Sequence, residues 1–146
     1  MATFSFLFAI YVILSHKFGV KMLRTLLLIG LGSFLGGVAR YGLSSVVQSH
    51  TNMLFPWGTF WVNVLGCLAI GLLNGLFARN GWLSADLRIF LTVGFCGGFT
   101  TFSTFIYENH LMLASGRFLA FAAYAGLSLV AGLVAVYAGY ALVTRY

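Results

Sequence analysis

Four long apolar runs alternate with short polar segments along this chain. The first runs from Met22 to about Gln48, with Arg24 near its start and Arg40 near its end; the uncharged runs Trp57–Ala78, Ile89–Tyr107 and Phe118–Val143 follow. Each reaches or approaches the roughly 20 residues that cross about 30 Å of hydrocarbon. Backbone groups in lipid need partners within their own segment, so each run is expected to be helical. The segments between them are short. Ser49–Pro56 holds the sole proline and reads as a turn, while Arg79–Arg88 offers Asn80-Gly81 as a helix stop and Ser84 as an N-cap. Consecutive helices are therefore antiparallel, and the pattern predicts an all-α integral membrane protein with a four-transmembrane-helix subunit.

Residues 1–21 fit this plan poorly. Their uncharged stretch, Ala2–Ser15, is short for a span and lacks a basic start and a small-residue cleavage site, so it is a poor signal peptide. A complete four-span unit begins at Met22. This divides the chain into an N-terminal extension, 1–21, which an upstream start site or a short interfacial helix would explain, and a membrane domain, 22–146.

Composition removes other classes. The chain is 61% hydrophobic and 7% charged, against about 25% charged for a soluble domain. Eight basic residues against Asp86 and Glu108 give a net charge of +6. In a soluble protein that balance would suggest nucleic acid. Here the basic residues sit near the ends of apolar runs, where they anchor to headgroups, and no nucleic-acid partner is expected. A cation-rich entrance also favours an anionic solute. Arg24, Arg79, Arg88 and Arg145 fall on one predicted face, Arg40 and Arg117 on the other. That bias is small, and it permits insertion in both orientations.

Most other features have plain readings. Cys67 and Cys96 are isolated in apolar runs and read as small buried hydrophobes, and His16, His50 and His110 are scattered near run ends. Gly32/Gly36 and Gly71/Gly75 form G-x-x-x-G pairs, which let helix backbones approach closely and give moderate support to a homo-oligomer. Polar residues inside the runs say more, because burying them without partners is costly. Asn63 stands about two turns into the second run. It suits an interhelical hydrogen bond or a contact to a solute. Tyr124 and Ser128, four apart, align their hydroxyls on one face of the fourth helix, which Gly132 continues. Thr100, Thr101, Ser103 and Thr104 add further hydroxyls to the third run. With no acidic group among them, this set of neutral donors suits an anion. The phenylalanines at 95, 99, 102 and 105 have helical spacing. That stripe fits packing or lipid contact, and equally a pore wall whose electropositive ring edges touch an anion.

Three segments carry a resemblance to a known family: GGVARYGLS at 36–44, FPWGTFWVNVLGCLAIG at 55–71 and GFCGGFTTFSTFIYE at 94–108. From Met22 onward the chain resembles the Fluc (CrcB) fluoride channels. The resemblance implies a dual-topology, antiparallel homodimer in a bacterial plasma membrane, with two pores that pass fluoride out of the cytoplasm. It assigns Phe102 and Phe105 to the pore walls, Asn63 to a pore-facing position, and Tyr124 and Ser128 to a polar track. It places Arg40 near the vestibule and matches Glu108 to the glutamate closing the third-span motif. Gly132 stands where the family has a third hydroxyl. Fluoride is small and strongly hydrated, so a path for it must replace water with many weak donors. Asn63, Ser103, Thr104, Tyr124 and Ser128 are positioned to share that task.

Gly97-Gly98 followed by Thr100-Thr101 also predicts a break in the third helix, since glycine costs about 1 kcal/mol relative to alanine in a helix interior. Carbonyls freed at such a break need a partner. The resemblance implies a structural sodium ion at the dimer axis, with Gly97 and Thr100 the expected oxygen donors. Other classes fare worse. A small multidrug-resistance-type exporter also has four spans, but it needs a carboxylate embedded in a span, and neither acidic residue is expected well inside one. A structural subunit needs no polar track, and an enzyme needs a nucleophile, metal cluster or carboxylate pair that the chain lacks.

Overall fold

A computed structural model describes residues 19–51, 55–79 and 84–145. Its helices are α1 (Val20–Ser49), α2 (Trp57–Arg79), α3 (Ala85–Ile89), a π-helical stretch (Phe90–Cys96), α4 (Gly97–Phe99), α5 (Phe102–Ala114) and α6 (Phe118–Thr144). Four segments are long and apolar enough to cross a membrane: Lys21–Ser49, Trp57–Arg79, Ala85–Ala114 and Phe118–Thr144. The all-helical, four-span expectation holds. Residues 1–18, which include most of the expected extension, and the expected helix stop at Asn80-Gly81 lie outside the described residues.

The second and fourth spans match their apolar runs to within a residue. The third is longer than its run at both ends. It begins four residues before Ile89, where the Ser84 hydroxyl accepts from the Leu87 amide at 3.2 Å as an N-cap. It also continues through Glu108, Asn109 and His110 to Ala114. Glu108 does not end the helix because hydroxyls on two neighbouring helices satisfy its carboxylate. The chain then turns at Gly116, whose φ of 70° is the sole positive value among the described residues; this is the left-handed position that closes a helix end.

Glycine notches set the packing. α1 lies against the third span, where a Cβ at Gly32 would meet the Phe90 carbonyl oxygen and one at Gly36 would meet that of Phe95. From the other side, a Cβ on Gly98 would strike the Ser33 backbone. α2 lies against α6 in the same way: Gly71 faces the Val136 carbonyl, and Gly139 on α6 faces that of Leu68. Both G-x-x-x-G pairs are thus spent inside one subunit, so the support they lent to a homo-oligomer is withdrawn. Outside these seams many large apolar side chains are open, among them Phe34, Leu119 and Leu129, as expected for helices bathed in lipid. At one end of the bundle Arg24 pairs with Asp86, tying the start of α1 to the start of the third span.

Candidate functional site: a polar seam through the bundle

The third span changes conformation in its middle. α4 ends at Phe99, Thr100 (φ −84°, ψ 157°) and Thr101 (φ −146°, ψ 116°) are extended, and α5 begins at Phe102. Extended residues inside a helix release backbone groups that must be satisfied again. Asn63 on α2 satisfies two of them. Its Nδ2 donates to the Thr101 carbonyl at 3.0 Å, and its Oδ1 accepts from the Thr101 amide at 2.8 Å. The Thr101 hydroxyl then caps α5, accepting from the Thr104 amide at 3.3 Å. On the α1 side, Arg40 Nε donates to the Gly98 carbonyl at 3.2 Å. Arg40 is nine residues short of Ser49, so its charge lies deeper than that of a residue flanking a span.

Which carbonyls lose their usual helical partners follows from the same bonds. In a regular helix the amides of Thr101 and Thr104 would reach the carbonyls of Gly97 and Thr100, four residues earlier. Here they go to Asn63 Oδ1 and to Thr101 Oγ1. Gly97 and Thr100 both line an open groove of about 340 Å³, shared with Asn63, Gly66, Cys67, Ile70, Thr92, Cys96, Thr101 and Phe102. A Cβ on Gly97 would meet nothing within 4 Å. Among the described residues no cluster of His, Cys, Asp or Glu could hold a metal, so a cation at this groove would depend on main-chain, hydroxyl or amide oxygens.

Farther along the seam the polar groups converge on Glu108. Thr59 Oγ1 on α2 donates to Oε1 at 2.7 Å, and the Tyr124 hydroxyl on α6 donates to Oε2 at 2.7 Å. One carboxylate thereby ties α2, α5 and α6. Tyr124 is fully buried, its ring edge-on to Phe55 at 5.2 Å and tilted against Phe105 at 5.1 Å. Beyond Glu108 a second cleft of about 340 Å³ opens between Ser44, Gln48, Pro56, Thr59, Leu111, Met112 and Arg117.

The expected residues separate into groups. Asn63, Thr100, Gly97 and Phe102 share the groove at the extended residues. Phe105 and Tyr124 pack together beside Glu108. Phe102 is 74% exposed, with its ring centroid 6.0 Å from that of Phe105. Thr104 accepts from the Thr101 hydroxyl at 3.0 Å, and Ser103 is exposed. Ser128 Oγ is buried without a partner among the described residues. Two expectations need correction. Glu108 was expected to flank the third span; it lies within that helix, six residues before its end at Ala114. For the same reason the polar set includes a carboxylate, which accepts rather than donates, and the Tyr124 hydroxyl already spends its proton on it. Thr101 was expected as one of several hydroxyls on the third run, but Thr59 was not among the expected site residues. Thr59 stands four before Asn63 and so on the same face of α2, a spacing that points to it.

Together these features define a multi-pass membrane protein whose four spans enclose polar groups at membrane depth, the class of ion and solute passages. Residues 27–140 match the family described as "CrcB-like protein, Camphor Resistance (CrcB)". The chain belongs to this family. It is 47% identical over 117 residues, 80% of this chain and 94% of the relative, to a protein of Nitratidesulfovibrio vulgaris named "Fluoride-specific ion channel FluC". Relatives of the same name from Chlorobium phaeobacteroides and Azobacteroides pseudotrichonymphae are 43% and 40% identical, covering 82% and 83% of this chain and 92% and 97% of theirs.

Proposed function

We propose that this protein is a fluoride channel, passing the anion passively through pores whose walls include Phe102, Phe105, Asn63 and Thr104. The observation that carries this reading is the polar seam on the T-T-F-S-T-F segment, in a chain 40–47% identical to three proteins named fluoride-specific ion channels. A channel performs no bond chemistry. Ser128 Oγ, buried and without a partner among the described residues, is a donor that an anion can use. Tyr124 contributes by orienting Glu108 and packing on Phe105. The test is release from liposomes loaded with fluoride, with potassium and valinomycin balancing charge. Fluoride should appear outside without any proton gradient. Release that needs a proton gradient would favour the exporter, for which a carboxylate within the third helix, Glu108, is the one structural argument. Chloride leaving at the same speed would remove the selectivity.

The pores form in an antiparallel homodimer of dual topology, inserted in the bacterial inner membrane. Support comes from the small charge bias between the two faces and from the resemblance noted in the sequence. Cysteine labelling of one loop position in cells should find that loop on both membrane faces; labelling from one face alone would rule out dual topology.

The third span works as a broken helix, and its break holds sodium at the dimer axis. The carbonyls of Gly97 and Thr100 fit a hard cation, because both have lost their helical partners and both line the open groove. Sodium there would supply positive charge to oxygens released from the helical pattern. Gly97→Leu should weaken dimer assembly by size-exclusion chromatography while leaving the subunit helical by circular dichroism, because a Cβ at this position meets nothing within 4 Å in the subunit. Replacing sodium by a large organic cation should have the same effect on assembly. A Gly97→Leu protein that dimerises normally would overturn the site.

A further inference from the structure

Asn74 is a second carboxamide on α2, and the polar seam does not use it. It stands eleven residues after Asn63, so Asn63, Cys67, Ile70 and Asn74 share one face of the helix. The first three of these line the open groove. Asn74 lies five residues short of Arg79, where α2 ends, and so about 7.5 Å inside the level of that charge. Its Nδ2 donates back to the Ile70 carbonyl at 2.8 Å, and no group among the described residues donates to its Oδ1. Hydrocarbon offers no donor, and a polar group left unpaired there is costly.

Depth shows where a donor can come from. Gly66 abuts Thr100, which marks the level of the extended residues on α2. Asn74 is eight residues beyond Gly66, about 12 Å toward the Arg79 end. Tyr107 on α5 is seven residues beyond Thr100, about 10.5 Å toward the opposite end, where Thr59 meets Glu108. Tyr107 is 61% exposed, and its hydroxyl likewise has no partner among the described residues. Within one subunit the two groups are separated by about 22 Å along the helices. A two-fold axis through the extended residues, perpendicular to the helices, exchanges the ends of the bundle and brings them to one level. We propose that Asn74 of one copy accepts a hydrogen bond from Tyr107 of the partner subunit, and that the symmetric pair of such bonds fixes the antiparallel register. This rests on the antiparallel dimer proposed above and names side chains that hold it. A buried carboxamide is suited to setting register, because a slipped arrangement strands it. Two copies in parallel would instead put Asn74 level with a second Asn74.

Association in liposomes tests the pair: bleaching steps of singly labelled full-length chains are counted as the protein is diluted into lipid. One interhelical hydrogen bond changes association about three- to thirtyfold, and symmetry supplies two. Asn74→Leu and Tyr107→Phe should each raise the dissociation constant about tenfold or more, with helicity by circular dichroism unchanged. Tyr107→Phe removes one oxygen from an exposed residue, so it keeps the test readable if Asn74→Leu misfolds. The double variant should associate no more weakly than either single one, because both remove the same bond. Additive losses, or no loss in either variant while the parent dimerises, would overturn the pair and leave the antiparallel dimer standing. A loss in Asn74→Leu alone would assign Asn74 to another donor, a second Asn74 in a parallel dimer included, and overturns the proposal as well. A parent chain that stays monomeric at every dilution would overturn the dimer itself, and the pair with it.

Discussion

An Asn63→Ala variant is expected to lose fluoride release by about tenfold or more and to melt earlier than the parent protein. The reason is the two-point bond to Thr101. Alanine removes a donor to the Thr101 carbonyl and an acceptor for its amide, at a depth where water cannot replace them readily. An unsatisfied buried polar group costs about 1–3 kcal/mol, and two are stranded at once. The extended residues then have no reason to hold their geometry, and Phe102 and Thr104, which follow directly, lose their aim. Asn63→Ser keeps a hydroxyl able to serve one of the two backbone groups, and should fall between alanine and the parent in both flux and melting temperature. If Asn63→Ala conducts and melts like the parent, the extended residues are held by other contacts and Asn63 is no positioning residue.

Replacing the two phenylalanines of the F-S-T-F segment should separate conduction from packing. Phe102 is 74% exposed within the subunit, so Phe102→Ile removes little internal contact. Its melting temperature should stay close to that of the parent. Phe105 packs on Tyr124 with ring centroids 5.1 Å apart, so Phe105→Ile should lose about 0.5–1.5 kcal/mol of ring contact and melt earlier. Both should conduct more slowly. If a ring edge contributes about 0.5–1.5 kcal/mol at the barrier, its loss slows flux about two- to tenfold. Liposome efflux and thermal melts of the same preparations check the pair. Unchanged flux in both variants would return the phenylalanines to packing. Slowed flux only in Phe105→Ile, in proportion to its instability, would do the same for Phe102.

The spans were legible because lipid imposes one rule, an apolar length with internal hydrogen bonds, and that rule is written in consecutive residues. The ends of the third span were less so. Glu108 reads as a terminator in a linear pattern, yet Thr59 and Tyr124 reach it from other helices, and their approach depends on packing. Asn63 was legible as a costly polar residue in an apolar run. Its partner was not, because a main-chain amide and carbonyl leave no mark in the side-chain pattern. Thr100-Thr101 was visible as a loosened segment behind two glycines, while the extended dihedrals fall at the threonines and the glycines stay helical. Gly98 is needed there for a different reason, the close approach of Ser33. Small residues signalled close helix contact correctly but not with whom, since a notch serves an intramolecular seam and an intermolecular one equally well.

That use of the notches has a practical side. Gly32, Gly36, Gly71 and Gly139 face backbone, and any side chain there forces two helices apart. Gly30, Gly37, Gly42 and Gly126 have nothing within 4 Å of where a Cβ would sit. These four are places where a cysteine carrying a spin label or fluorophore can be introduced without disturbing the subunit. Spectra from them would report whether lipid tails, water or another polypeptide occupies the space beside each helix.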